Sequence, residues 1–142
     1  MYLSKNFTLE ELCASSTAKA RHIDNTPPKE IIENLKALCV NVLQPLRDWY
    51  GKSILIGSGY RCPQLNKAVG GVSTSQHMKG EAVDLYIQGD LELGKRWFCF
   101  IKDHLIFDQL IMEHNKKGTY WVHVSFSRTK NRKQVITNLL KK

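Results

Sequence analysis

Ten consecutive residues constrain this chain more than any others: Ser75-Gln76-His77-Met78-Lys79-Gly80-Glu81-Ala82-Val83-Asp84. Gly80, without a Cβ, lets the chain turn tightly or approach other backbone closely. From Glu81 to Ile87 the pattern reads as a short strand with Ala82, Asp84 and Tyr86 on one face. Asp84 therefore sits among Ala82, Val83, Leu85 and Ile87. A carboxylate there is costly unless it is paired or bound to a metal. His123 repeats the situation in Trp121-Val122-His123-Val124-Ser125, an imidazole between β-branched residues. Whatever the chain folds into must provide partners for both groups inside apolar strands.

His77, Asp84 and His123 together make a three-ligand set for a divalent metal such as zinc. Three protein ligands leave a fourth position open, as in catalytic rather than structural zinc sites. Such a site activates water for hydrolysis. Taken singly, each residue also has a plainer role: His77 as a loop cap, Asp84 as a strand-end acid, His123 as a hydrogen-bonded core histidine. The flanking sequence decides for the metal.

That flanking sequence includes Ser58-Gly59-Tyr60-Arg61-Cys62-Pro63, Leu65-Asn66 and Val69-Gly70-Gly71 ahead of the His77–Asp84 stretch, and the late Trp121-Val122-His123-Val124-Ser125. Together they closely resemble a family of zinc peptidases. Its members are D-alanyl-D-alanine carboxypeptidases and phage or bacterial L-alanyl-D-glutamate endopeptidases, and the likeness is best to the zinc D-alanyl-D-alanine carboxypeptidase branch. Phe7 to Leu12, Asp24 to Pro28 and Val42 to Arg47 are similar to the family's N-terminal helical part. The resemblance implies an α+β fold, with a small antiparallel sheet bracketed by helices, of the kind shared by hedgehog-like domains and these peptidases. It implies that Zn2+ is bound by His77, Asp84 and His123, and that Arg61 faces the substrate carbonyl or carboxylate. It also implies substrates among peptidoglycan stem peptides. Tyr60, Ser75 and Gln76 are weaker candidates for substrate contacts, as is Tyr120.

One position departs from the family pattern. Many relatives carry an acid three residues before the last histidine, as the general base; here it is Tyr120. Tyrosine is a poor base near neutral pH, since its ordinary pKa is about 10. Gln109 to Glu113 and Tyr120 to Phe126 read as an antiparallel hairpin around Asn115-Lys116-Lys117-Gly118. A four-residue turn from Asn115 to Gly118 sets Glu113 opposite Tyr120, and cross-strand neighbours are about 5 Å apart at Cβ. Glu113 is thus the expected base, its alternatives being a solvated strand-end residue or an acid that orients a histidine. His114 and His104 are weaker candidates at element ends. Tyr120 also keeps open a different class, a zinc-holding binding module that does not cut.

The remaining elements follow from periodicity and punctuation. Thr8 and Glu11 form a capping box for a helix from Leu9 to about Ala14. Ala14 to Asn25 reads as loop. Pro27-Pro28 precedes an amphipathic helix with Ile31, Leu35, Leu38, Val42 and Leu43 in phase, kinked late by Pro45. Lys52 to Ser58 reads as a strand, and Pro63 opens a short helix stopped by Gly70-Gly71. A helix runs from Leu91 to about Leu105 with Leu93, Trp97, Phe100 and Ile101 on one face, and a last short helix is expected from Gln134 to Leu140.

At 142 residues, with no repeat or low-complexity tract, the chain suits a single domain. The expected organisation is an N-terminal helical part over about 1–50, a catalytic core over about 51–126 and a basic tail over 127–142. No apolar run of about 18 residues predicts a membrane span. Met1 to Asn6 lacks the basic start and apolar core of a secretory signal. The expected location is the cytoplasm, or the cell wall after release, as for a phage lysin. The four cysteines form no C-x-x-C pair. Cys13, Cys39 and Cys99 are expected as reduced core hydrophobes, and Cys62 as a packing residue at a helix start. The net charge of +8 is concentrated late, in Lys116-Lys117, Arg128, Lys130, Arg132-Lys133 and Lys141-Lys142. Such a surface suits an anionic polymer, either nucleic acid or bacterial wall. Without a helix-turn-helix, zinc-finger or RNA-recognition pattern, no nucleic-acid partner is expected, and a basic nucleic-acid-binding domain stays open only as the less favoured alternative class. The chain is expected to be a monomer.

Overall fold

A computed structural model describes residues 1–141 of the chain; Lys142, the last of the expected basic tail, lies outside the described residues. The N-terminal part opens with a small antiparallel ribbon, β1 (Tyr2–Ser4) and β2 (Phe7–Thr8). Helix α1 (Leu9–Cys13) follows, and its capping box forms as expected: the Glu11 amide donates to Thr8 Oγ1 and the Thr8 amide to Glu11 Oε1. The segment expected as loop contains a short helix, α2 (Ser16–Ala20), started by Ser15, whose Oγ accepts from the Ala18 amide. Too few residues lie in α2 for periodicity to reveal it.

The amphipathic helix predicted after Pro28 has two parts, α3 (Lys29–Leu38) and α4 (Gln44–Tyr50), joined without a break by a π-helical turn, Cys39–Leu43. There the Gln44 amide reaches back five residues, to the Cys39 carbonyl. Pro45 has no N–H to donate, and the wide turn takes up the misfit that an uninterrupted α-helix could not.

The main sheet has five strands in the order β3-β4-β6-β5-β7. β3 (Leu55–Ser58), β4 (Ala82–Tyr86), β6 (Tyr120–Ser125) and β5 (Gln109–Asn115) are antiparallel neighbours. Val83, Leu85, Leu110, Met112, Val122 and Val124 alternate along β4, β5 and β6 and share one buried core with Leu35, Leu38, Leu46, Trp97 and Ile101. Trp97 and Ile101 come from α6 (Leu91–His104), which packs on β5 and β6. α5 (Pro63–Ala68) lies between β3 and the loop that leads to His77. Helices α1, α3, α4 and α6 packed into the core under a largely antiparallel sheet make the fold α+β.

Two expectations are corrected. Gln134 to Lys141 is not a helix but a strand, β7, parallel to β5. Val135, Ile136 and Thr137 are β-branched and stiff, which disfavours helix, and β5 offers an unpaired edge beside them. Cys99, expected in the core, is exposed on the outer side of α6. Cys13 and Cys39 are partly and fully buried, and burial pushes their thiols up to about 11 and about 12. All four cysteines are free. Among the described residues no helix is long and apolar enough to cross a membrane.

Candidate metal centre

Strand register assembles two of the three expected ligands. Asp84 on β4 and His123 on β6 are direct antiparallel partners, and Ile111 on β5 is His123's partner on the other side. Successive side chains in a strand point to opposite faces. Asp84, His123 and Ile111 therefore share the face turned away from Val83, Leu85, Val122 and Val124.

His77 comes from outside the sheet, on a 3₁₀ turn, Gln76–Lys79. Ser75 caps it, its Oγ accepting from the His77 amide at 3.2 Å. Gly80 ends it at φ +70°, in the left-handed region. A Cβ there would lie 2.8 Å from Ile31 Cγ2 and 2.9 Å from the Ile31 carbonyl oxygen, so only glycine lets the turn sit against α3. Asn34 of α3 donates to the Lys79 carbonyl at 2.8 Å. His77 Nδ1 donates to the Gly59 carbonyl at 2.8 Å. A carbonyl only accepts, so Nδ1 carries a proton and Nε2 is the ring nitrogen left to face the site.

The three side chains converge. His77 Nε2 is 3.4 Å from Asp84 Oδ2, and His123 Nδ1 is 3.0 Å from Asp84 Oδ1. One donor atom from each residue lies within 4.8 Å of the other two. Zinc bonds of about 2.0–2.1 Å in a tetrahedron require ligand–ligand edges of about 3.3 Å, so the donors fit this metal in type and spacing. Burial works against the charge on Asp84, but the His77 and His123 imidazoles outweigh it and hold the carboxyl far below the usual carboxylate range.

Glu113 reaches the same place by a different register from the one expected. His114 lies opposite Tyr120, and Glu113 opposite Trp121. The turn begins one residue later than the Asn115–Gly118 reading, and the Asn115 amide donates to the Thr119 carbonyl. This shift is what brings Glu113 to the site. Paired with Tyr120 it would share Tyr120's face, opposite to that of His123. As folded, Glu113 is 4% exposed and its Oε1 is 3.4 Å from His123 Nδ1. Tyr120 faces the other way, packs against the core and stacks on His114 at 5.0 Å between ring centroids. His104 is exposed at the end of α6, against Phe100.

Arg61 follows β3 and is half-buried. One terminal nitrogen donates to Ser75 Oγ at 3.3 Å, while Nε is buried with no hydrogen-bond partner among the described residues. Burial lowers its proton affinity, and the charges of Asp84 and Glu113 act in the opposite direction. Of the weaker candidates, Ser75 and Gln76 line the cleft beside His77. Tyr60 does not: it is 4% exposed and belongs to the core. Cys62 caps α5, its Sγ accepting from the Leu65 amide, in agreement with a packing role.

The cleft has a volume of about 700 Å3 and takes in residues the sequence reading passed over: Lys79, Glu81, Asp108, Lys130 and Arg132. Asp108 is 4% exposed, and the Arg132 side chain beside it holds its carboxyl well below the usual range. The signal was available. Asp108 stands between Phe107 and the Gln109–Leu110–Ile111 run, as improbable a place for an unpartnered carboxylate as that of Asp84.

No curated protein matches the chain. The family model for Peptidase M15, peptidases that are typically zinc-dependent, matches residues 5–125, a span that includes His77, Asp84 and His123. The chain belongs to the Peptidase M15 family, the zinc D-Ala-D-Ala carboxypeptidase type.

Proposed function

We propose that this chain is a zinc peptidase that hydrolyses an amide bond in peptidoglycan stem peptides, with His77, Asp84 and His123 as ligands and Glu113 as general base. The observation that carries the reading is the buried Glu113 carboxylate, 3.4 Å from His123 Nδ1 at the edge of the three-donor set. Zinc bound there supplies a Lewis acid that activates water and polarises the scissile carbonyl. Glu113 accepts the water proton as oxygen attacks the carbonyl carbon, then delivers it to the departing amine nitrogen as the C–N bond breaks. Arg61 stabilises the oxyanion from beside the cleft: it donates to Ser75, which lines the cleft, and the charges of Asp84 and Glu113 act on it. Ser75 and Gln76 line the approach. Family membership supports a stem-peptide substrate, and that substrate in turn supports a setting at the wall, in the manner of a phage lysin.

Mass spectrometry of defined muropeptides after incubation with the zinc-loaded chain tests this directly. The mass lost identifies the bond, distinguishing removal of a terminal residue from an internal cut. Intact muropeptides after prolonged incubation with a zinc-replete chain would replace this reading with that of a binding module.

A further inference from the structure

The segment after β6 is more than a basic tail. It crosses the start of β5 and hands the chain to β7: the Lys133 amide donates to the Phe107 carbonyl and the Gln134 amide to the Asp108 carbonyl. On the way it places two arginines. Arg132 donates to Asp108 three times, from its backbone amide at 3.0 Å, from Nε to Oδ1 at 2.8 Å and from Nη2 to Oδ2 at 2.9 Å. Asp108 Oδ2 also accepts from Gln76 Nε2 at 2.7 Å, and Gln76 opens the turn that carries His77. Arg128 donates to Glu30 and, through Nε at 2.8 Å, to Asn34 Oδ1. Asn34 in turn donates to the carbonyl of Lys79, the last residue of that turn. Both ends of the His77 turn are thus tied, through one intermediary each, to the same crossover loop.

We propose that residues 126–133 form a bracket for the metal centre, with Arg132 (through Asp108 and Gln76) and Arg128 (through Asn34) as positioning residues that hold the turn presenting His77. Only the consequence for turnover rests on the peptidase reading; the mechanical role does not.

Two physical points favour a bracket over a solubilising surface. Exposed ion pairs contribute little, but Asp108 is buried, and losing Arg132 would leave its carboxylate with the Gln76 amide as its remaining side-chain donor. Among the described residues the Gln76 side chain is anchored by this bond to Asp108, its Oε1 being buried without a partner there. Both arginines are partly exposed, but Arg128's acid partner Glu30 is exposed where Asp108 is buried, so the Arg128 arm is the weaker one. The arginines also lie beyond residue 125, where the family match ends, so this chain completes its site with residues outside the matched region.

Amide hydrogen exchange in the metal-free protein is the primary test, because it requires neither zinc nor substrate. Arg132→Gln should speed exchange at Met78, Gly80 and Glu81, whose amides bond within the turn, by about tenfold or more, while α6 and β4 stay protected. Arg128→Gln should do the same to a smaller degree. Zinc affinity of Arg132→Gln should fall about tenfold, the low end for loss of an outer support of a metal ligand, and kcat should fall with KM nearly unchanged. If Arg132→Gln fails to fold, the neutral pair Asp108→Asn with Arg132→Gln strands no charge and should show the same local loosening. Unchanged exchange in the turn together with zinc affinity within about twofold of wild type overturns the bracket. A raised KM with unchanged exchange also overturns it, making Arg132 a substrate contact instead. If the wild type cuts no muropeptide, the peptidase reading fails, and exchange and zinc affinity still decide the bracket.

Discussion

The two faces of the central sheet are made by the same three strands and have opposite chemistry. On one, Val83, Leu85, Leu110, Met112, Val122 and Val124 are closed under helices. On the other, Asp84, Glu113 and His123 meet at the edge of a cleft. Moving one residue along β4, from Asp84 to Leu85, crosses from the site to the core. The comparison teaches that the register fixing the core also brings Asp84, His123 and Glu113 together on the other face, because period-two alternation makes each face the complement of the other.

The sharpest way to break the comparison is to mutate those neighbours. Asp84→Ala should reduce zinc content from about one per chain to a small fraction and abolish turnover, while leaving the fold, since it removes a ligand and no packing. Leu85→Ala should cost about 2–5 kcal/mol of stability and keep the zinc. Metal analysis and denaturant titration of both variants read the contrast directly; zinc lost equally from each would show that the faces are not independent.

On the site face, Glu113→Gln should keep zinc and stability and lower turnover at least about a hundredfold. Full activity in that variant would remove Glu113 as the base. Arg61→Lys keeps the charge but loses the guanidinium fork, and should cost on the order of tenfold in kcat with zinc retained; wild-type rates would reduce Arg61 to a structural residue.

A smaller effect is read from pH. Asp108 is held below its ordinary pKa in the fold, so its ionised form contributes stability that is fully present above about pH 4 and is lost as pH falls through the folded value. Arg132→Gln should therefore flatten the acid side of the stability curve of the metal-free protein below about pH 4. Equal slopes for wild type and variant would show that the pair adds nothing. The smallest effect belongs to the core face: Tyr120→Phe should stay within about twofold of wild-type turnover, because Tyr120 points away from His123. A dead Tyr120→Phe would make the tyrosine the working group.

How far the site could be read in advance depended on the range of the signal. Asp84 and His123 were legible because an ionisable group in an apolar strand is a local anomaly, visible within five residues of sequence. The capping box at Thr8 and the short helix opened by Pro63 and stopped before Gly70-Gly71 are equally local. The pairing of β5 with β6 was not, because the turn between them admits two readings one residue apart and each flips every side chain. Glu113 was identified in the sequence, yet the pairing expected of it would have aimed it at the wrong face. β7 was missed since its strand character depends on an edge of β5 that no local pattern displays. Asp108 was passed over, although its place beside Phe107 in an apolar run is a local anomaly of the same kind as that of Asp84.

Gly80 carries a consequence for how freely this architecture can be rearranged. The first fifty residues contribute no metal donor, and by function alone they look exchangeable with any helical cap of similar size. The contact at Ile31 makes them a gauge instead: the helix sets how deep the neighbouring turn can seat, and so how near one imidazole comes to the other. A chimera that borrows its N-terminal half must match the side chain at position 31 and the amide at position 34, or it will inherit a well-packed core around a mis-set centre. The selectable unit is the pair of halves, fitted at a glycine.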